Sequence, residues 1–190
     1  MTDQKTISRY PVPNINDLPN DLAQRILSIQ EKAGFIPNVF LVLAHRPKEL
    51  RAFIDFHDAL MERESGLTQA EKEMIVVATS GRNNCLYCVI AHGAILRIRT
   101  KNPMIADQVS TNFRKADIST RQMAMLEFAA KTSDDSDSIC ESDFETLHSH
   151  GFSDEDIWDI AGITAFFGLS NRMANFTAMR PNNEFYNMGR

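Results

Sequence analysis

The chain has 190 residues, of which 43% are hydrophobic and 24% are charged, a size and composition that predict one soluble globular domain. Its formal net charge is -5 and no basic stretch is concentrated along it, which argues against nucleic acid as a partner. The apolar runs are too short to span a membrane, and residues 1–5 lack the features of a secretory signal, so we expect a cytoplasmic protein.

The predicted elements begin with an extended lead-in over residues 1–16, because Pro11 and Pro13 disfavour helix. A first helix is predicted from about Pro19 to Lys32, and Gly34 ends it. No segment alternates apolar and polar residues with a period of two. The predicted fold class is therefore all-α, as a single compact helical domain over residues 1–190.

The middle of the chain carries two helix-start signals. Pro47 fits the first turn of one helix, and Thr68 with Glu71 forms a capping-box pattern that starts another at about Gln69. Asn84 is then the predicted N-cap of a helix that begins at the next residue, after a polar interruption. Four further helices are predicted to start at or near Pro103, Ser119, Ser142 and Ser153.

Two cysteines followed by a histidine form the segment most informative about chemistry. Residues three and seven apart lie on nearly one face of a helix, so Cys85, Cys88 and His92 share a stripe. The two thiols are one turn apart and could form a disulfide. A helix N-terminus and a nearby imidazolium both favour the thiolate, which is the nucleophile. Glu73, on the preceding helix, could pair with His92 and hold its proton.

The sequence leaves open which thiol attacks. His92 leans toward Cys88, because helical side chains point toward the N-terminus, and this favours Cys88 as the activated thiol and Cys85 as the resolving one. Against this, Cys85 is nearer the helix terminus, is expected to be the more exposed, and corresponds to the attacking thiol of thioredoxin-type pairs. In the preferred cycle, Cys88 is oxidised to a sulfenic acid by a peroxide, Cys85 condenses with it, and an external dithiol reopens the disulfide.

Other interpretations of the same residues remain open. The disulfide could switch a redox-responsive regulatory or binding protein without rapid turnover. Cys85, Cys88 and His92 could instead bind zinc, with Cys140 or another histidine as fourth ligand, or the cysteines could simply be packed. Alone, Cys140 has no predicted role. The remaining histidines are expected to be structural or solvated: His45, His57, His148 and His150.

These residues resemble the carboxymuconolactone decarboxylase superfamily, in its alkylhydroperoxidase D-like (AhpD-like) branch, and most closely the subgroup of peroxidase-related enzymes. The core of the resemblance lies within residues 68–98. It consists of Glu73, Cys85, Cys88 and His92 at the spacing of that family. The likeness extends to residues 37–38, 43–47, 170–174 and 179–181, and so covers most of the chain.

The resemblance implies an all-helical fold that assembles into homo-oligomers, as trimers, hexamers or dimers. It also implies a peroxidatic Cys88, a resolving Cys85, and a proton relay through Glu73 and His92. Family peroxidases have a histidine just before the second cysteine, whereas this chain has Tyr87, a poorer proton shuttle that we expect near the site. The implied activity is hydroperoxide reduction without a bound cofactor, regenerated by an unidentified dithiol reductant.

Overall fold

The computed structural model describes residues 6–190, so the expectations for residues 1–5, the start of the lead-in and the missing secretory signal, lie outside it. The described residues contain helices and no strand, which confirms the all-α prediction. The ten α-helices within them are α1 (Asn20–Ala33), α2 (Asn38–Leu43), α3 (Pro47–Met61), α4 (Gln69–Arg82), α5 (Leu86–Thr100), α6 (Ile105–Asn112), α7 (Thr120–Asp134), α8 (Glu141–Ser149), α9 (Asp154–Phe176) and α10 (Glu184–Asn187).

Most predicted helix boundaries lie within two residues of the observed ones, because local chemistry sets them. Gly34 closes α1 with a φ of 83°, a left-handed conformation that favours glycine. Pro47 occupies the first position of α3. Capping boxes with a hydroxyl side chain start α4 at Thr68, α7 at Ser119 and α9 at Ser153.

One predicted boundary is wrong at the point that matters for chemistry. The helix predicted to begin at Cys85 begins one residue later, and Cys85 itself is the N-cap of α5. The predicted cap, Asn84, has a φ of 51° and lies in the turn between α4 and α5. The reason is that the sulfur of Cys85 accepts the backbone N–H of Cys88, at 3.3 Å. Cys85 is thus a capping residue rather than a member of the helical stripe.

The helix α4 lies at the centre of the fold, in contact with α5, α6, α7 and α9. All its residues from Glu71 to Ser80 are buried. One apolar cluster surrounds α4, α7 and α9, and a second joins α1, α2, α3, α5 and the C-terminal residues. Within residues 6–190, no helix combines the length and the apolar character needed to cross a membrane.

Three consecutive charged residues are buried in the first two turns of α4. Lys72 is 0% exposed, and its ammonium donates to the carbonyl oxygens of Leu60 at 2.9 Å and Arg63 at 2.6 Å, at and just beyond the C-terminus of α3. The guanidinium of Arg63 reaches buried Asp159, at 3.2 Å. We call these residues the Lys72 cluster. On either side of Lys72, Glu71 contributes to the cap of α4 and Glu73 points toward α5.

Candidate active site

The two thiols at the start of α5 are free and buried. Cys85 is 0% exposed and Cys88 is 1% exposed, which corrects the expectation that Cys85 is the more accessible. Cys85 lies at the cap, and its sulfur is turned back under the first turn of the helix toward the N–H of Cys88. The first turn of α5 thus folds over the sulfur that the sequence placed at an open terminus.

Hydrogen bonds distinguish the two thiols. The Cys88 thiol, its backbone N–H and the Asn171 amide all favour a negative charge on Cys85, and together they lower the pKa of Cys85 despite its burial. Conversely, the hydrogen bond with Cys85 and burial both raise the pKa of the Cys88 thiol well above its ordinary value. The first negative charge on the pair therefore forms on Cys85. This is opposite to the sequence-based expectation that His92 makes Cys88 the thiol that ionises first.

The helix α9 covers the cysteine pair with two polar residues. The hydroxyl of Ser170 lies 3.9 Å from the sulfur of Cys88. Asn171 is 0% exposed, donates to the hydroxyl of Ser80 at 2.9 Å and accepts from the amide of Asn83 at 2.9 Å. No role was predicted for Asn171 from the sequence. The available signal was a polar pair within the apolar part of α9.

Glu73 and His92 meet, as the sequence predicted. Oε2 of Glu73 lies 2.8 Å from Nδ1 of His92, and the two side chains are only 9% and 15% exposed. The imidazole packs edge-on against Phe167, with 4.8 Å between the ring centroids. His92 follows Cys88 by four residues and so lies on the same face of α5. The structure thus brings together Glu73, His92 and both thiols.

Tyr87 contacts the site, but its hydroxyl is already engaged. The side chain is 4% exposed, and its oxygen accepts the backbone N–H of Val39 at 3.1 Å, which joins α5 to α2. Burial raises the pKa of Tyr87, so the phenol stays protonated far above neutral pH. Tyr87 is therefore a wall of the site and a link between two helices.

A cavity of about 270 Å³ opens onto Cys88. Cys88, Tyr87 and His92 line it together with apolar side chains from α2, α3, α5 and α9, whereas Cys85 does not. The charged lining residues Arg25 and Glu62 are exposed and mark the side nearer solvent. A small molecule that enters this cavity meets the sulfur of Cys88 first, because Cys85 lies behind it.

A second histidine lines the same cavity, and the sequence analysis missed it. His57, on α3, was expected to be structural or solvated, but it is half-buried with Nδ1 3.1 Å from Oδ1 of Asp58. Burial lowers the pKa of His57. Its position one turn after Phe53 and Ile54, on the apolar face of α3, was the signal that could have identified it.

The fourth zinc ligand considered from the sequence lies elsewhere. Cys140 is exposed at the N-terminus of α8, a helix that packs against α7 and α9. Across residues 6–190, no group of three or more His, Cys, Asp or Glu side chains is arranged to hold a metal ion. The other predicted structural histidines are also remote from Cys88: His45 lines a different cavity, and His148 pairs with Asp154.

The sequence and fold of the chain are similar to those of several known proteins. Residues 47–103 match the carboxymuconolactone decarboxylase family. An alkylhydroperoxidase AhpD core from Ralstonia eutropha JMP134, an uncharacterized peroxidase-related protein, is 65% identical over 98% of both chains, with a TM-score of 0.97. An uncharacterized peroxidase-related protein from Silicibacter sp. TM1040 is 42% identical over 100% of both chains, with a TM-score of 0.93.

One more distant structure shows how widely the fold is used. The debrominase Bmp8, in complex with 2,3,4-tribromopyrrole, is 19% identical over 94% of this chain and 95% of that one, with a TM-score of 0.76. At this identity the similarity concerns the fold alone. A comparison with curated proteins found no match.

Proposed function

The chain belongs to the carboxymuconolactone decarboxylase family, in its AhpD-like branch, and from this premise we propose that it is a thiol-dependent peroxidase that reduces hydroperoxides. The observation that carries the proposal is the position of Cys88, which faces the cavity on the same helical face as the imidazole of the Glu73–His92 pair. A nucleophile, an acid–base group and a group that orients it are thus present at one small-molecule site.

The first step oxidises Cys88. Its thiol proton passes to Nε2 of His92, whose Nδ1–H donates to Glu73 and so stabilises the imidazolium. The thiolate attacks the terminal oxygen of the hydroperoxide, a sulfur–oxygen bond forms and the oxygen–oxygen bond breaks. The leaving alkoxide takes the proton from His92. The products are an alcohol and the sulfenic acid of Cys88, so sulfur loses two electrons and the peroxide gains them.

The second step uses the neighbouring thiol. The lowered pKa of Cys85 favours its thiolate next to the sulfenic acid, which suits a resolving nucleophile. It attacks the sulfur of Cys88, the disulfide forms as the sulfur–oxygen bond breaks, and the displaced hydroxide leaves as water with the proton that Cys85 released, which His92 relays. An external dithiol then reduces the disulfide by thiol–disulfide exchange and supplies the two electrons. This cycle retains Cys88 as the peroxidatic thiol on grounds of access, although Cys85 ionises first.

Single-turnover oxidation tests the proposal. Reduced protein is mixed with one equivalent of tert-butyl hydroperoxide in a Cys140→Ser background, which removes the exposed thiol, and thiols, peroxide and product mass are followed together. We expect a Cys85–Cys88 disulfide within seconds, no reaction in Cys88→Ser, and one trapped sulfenic acid in Cys85→Ser. Sulfenic acid formation in Cys88→Ser but not in Cys85→Ser would reverse the two thiol roles. Thiols that stay reduced for many minutes would contradict a peroxidase.

A redox-responsive regulatory protein is the second candidate. The observation in its favour is that the sulfur of Cys85 caps α5, so oxidation alters the hydrogen bonding of a helix terminus inside the core. The two candidates differ in turnover. Sustained peroxide consumption with excess dithiothreitol supports the enzyme, whereas one slow oxidation that changes the hydrogen-exchange pattern of α5 supports the switch.

The proposal includes a cytoplasmic location and assembly into a homo-oligomer. A reducing compartment suits a pair that must return to the dithiol. Tyr10, Phe56, Leu169 and Phe176 are exposed and line one cavity of about 560 Å³ on another face, and we propose that a second copy of the chain covers them. Light scattering should give more than one chain per particle, and Leu169→Glu should reduce this number. A monomeric wild type would contradict the assembly.

A further inference from the structure

Two histidine–carboxylate pairs face the cavity that opens onto Cys88. His92 of α5 contacts Glu73 through Nδ1, and His57 of α3 contacts Asp58 through Nδ1. Both imidazoles line the cavity and pack against the ring of Phe167, with centroid distances of 4.8 Å for His92 and 6.3 Å for His57. The proposed cycle uses the first pair and leaves the second without a role.

The contact with Asp58 fixes the chemistry that His57 offers. A carboxylate on Nδ1 selects the tautomer with the proton on that nitrogen, which leaves Nε2 as an acceptor. Arg25 of α1 donates to the other oxygen of Asp58. Among residues 6–190 the structure records no hydrogen bond to Nε2 of His57. Burial lowers the pKa of His57, so the ring is neutral at pH 7.

We propose that His57, held by Asp58, binds the hydroperoxide by accepting the hydrogen bond of its terminal O–H. This inference rests on the proposed peroxidase function. Of the other hydrogen-bonding side chains near Cys88, Tyr87 already accepts the N–H of Val39, the hydroxyl of Ser170 contacts the sulfur of Cys88 at 3.9 Å, and His92 is occupied with the proton of Cys88. His57 therefore supplies the acceptor that holds the terminal oxygen toward the sulfur.

The bond changes of the reaction stay as written above. Sulfur attacks the terminal oxygen, which keeps its hydrogen and its bond to His57 while it becomes the hydroxyl of the sulfenic acid. The inner oxygen leaves and receives its proton from His92. His57 therefore gives and takes no proton, and its contribution lies in orientation.

Several charged or titratable groups surround His57 and shape its pH response. Carboxylates favour its protonated form, whereas burial and the charge of His92 oppose it. The groups that face it are Asp58 of α3, Glu62 just beyond the C-terminus of α3, Arg25 of α1, Glu73 of α4, and Tyr87, Cys88 and His92 of α5; α9 presents Phe166, Phe167 and Ser170. Protonation of His57 removes its acceptor, so binding of the hydroperoxide weakens in acid.

Stopped-flow oxidation of Cys88 by excess tert-butyl hydroperoxide, in the full chain with Cys140→Ser, tests the inference. We expect His57→Gln to lower the second-order rate constant about tenfold, the loss of one hydrogen bond. Asp58→Asn retains the imidazole but removes the carboxylate charge that orients it. This variant should lower the rate constant by a smaller factor. The control His45→Gln replaces an exposed histidine outside the cavity and should leave the constant unchanged.

The pH profile separates a binding role from a structural one. As the pH falls below about 6.5 and through the lowered pKa of His57, the wild-type rate should fall more steeply than that of His57→Gln, because the wild type loses both a thiolate and an acceptor. Equal constants and equal profiles in wild type and His57→Gln would overturn the role of His57 and leave the peroxidase standing. A wild type that does not react at all would overturn the peroxidase and this role together.

Discussion

Lys72 and Glu73 are neighbours on α4, and both are buried, yet they belong to regions with opposite character. In the Lys72 cluster the ammonium is fully buried and donates to the backbone carbonyl oxygens of Leu60, Met61 and Arg63. Glu73 holds one nitrogen of His92, while the other nitrogen of that ring has no partner among the described residues. A buried charged group that hydrogen-bonds only to the backbone stabilises the fold. A buried pair in which one ring nitrogen has no hydrogen-bond partner can take part in a reaction.

The largest predicted effect separates these two regions by stability. Lys72→Met leaves buried carbonyl oxygens at the end of α3 without a donor, and we expect a loss of about 3 kcal/mol in the free energy of unfolding. The rate of peroxide reduction per folded molecule should stay within about twofold, because the thiol site is unchanged. Urea unfolding and single-turnover kinetics on the same samples measure both. A tenfold loss of rate at full folding would show that the regions are coupled.

The next effect reverses the pattern. Glu73→Gln removes the charge that stabilises the imidazolium of His92, and we expect peroxide reduction to slow about a hundredfold. Stability should change by about 1 kcal/mol or less, since the amide retains the volume and a hydrogen bond. Glu71→Gln, at the residue just before Lys72, is a matched control, and its rate of peroxide reduction should equal that of the wild type. A Glu73→Gln protein with normal kinetics would remove Glu73 from the proposed relay.

Tyr87 sharpens the comparison, because it lines the cavity and yet its hydroxyl has a structural partner. Tyr87→Phe leaves the N–H of Val39 without its acceptor and should cost about 1 kcal/mol in stability. The pH profile of Cys88 oxidation should keep its shape, because the Tyr87 phenol keeps its proton throughout the neutral pH range. Thermal unfolding with stopped-flow kinetics checks both, and a large change in the profile would instead identify the phenol as a proton shuttle.

The smallest effect concerns pH and stability. Because the pKa of His57 is lowered in the folded chain, the unfolded chain binds more protons below its own pKa of about 6.5. Stability is therefore retained above that pH and lost as the pH falls from about 6.5 toward the lowered pKa. Urea unfolding at pH 7.5 and 5.5 should show a smaller acid loss in His57→Gln than in the wild type. Identical losses would show that His57 titrates normally.

Sequence periodicity was sufficient for the helices and for the Glu73–His92 contact. The capping box at Thr68 fixes the start of α4, and the spacing of Cys88 and His92 fixes one face of α5, so two adjacent helices bring the groups together. The cap itself was misplaced, because a thiol is rarely counted as a capping acceptor. Because Cys85 caps α5 instead of starting it, its sulfur lies behind Cys88. The order in which the two thiols ionise is therefore the reverse of the predicted one.

The remaining parts of the site depend on tertiary packing. His57 and Asn171 lie 31 residues before and 83 residues after Cys88, on helices whose spacing gives no distance to α5. Periodicity places His57 on the apolar face of α3, but its position in the cavity beside Cys88, and that of Asn171 beside the thiols, follow from how α3 and α9 pack. The same pattern gave His57 and His45 equal weight, although one lines the cavity and the other is exposed on a different face.

The hydrogen bond between the backbone N–H of Val39 and the hydroxyl of Tyr87 links two walls of the cavity that opens onto Cys88. One end holds the first turn of α2, which forms a wall of the cavity, and the other holds the residue just before Cys88. A bulky substrate that displaces α2 must either break the hydrogen bond between Val39 and Tyr87 or move α5 together with α2. Either movement displaces the sulfur of Cys88. The upper size of an acceptable substrate is therefore set by the stiffness of the backbone as much as by the side chains around it.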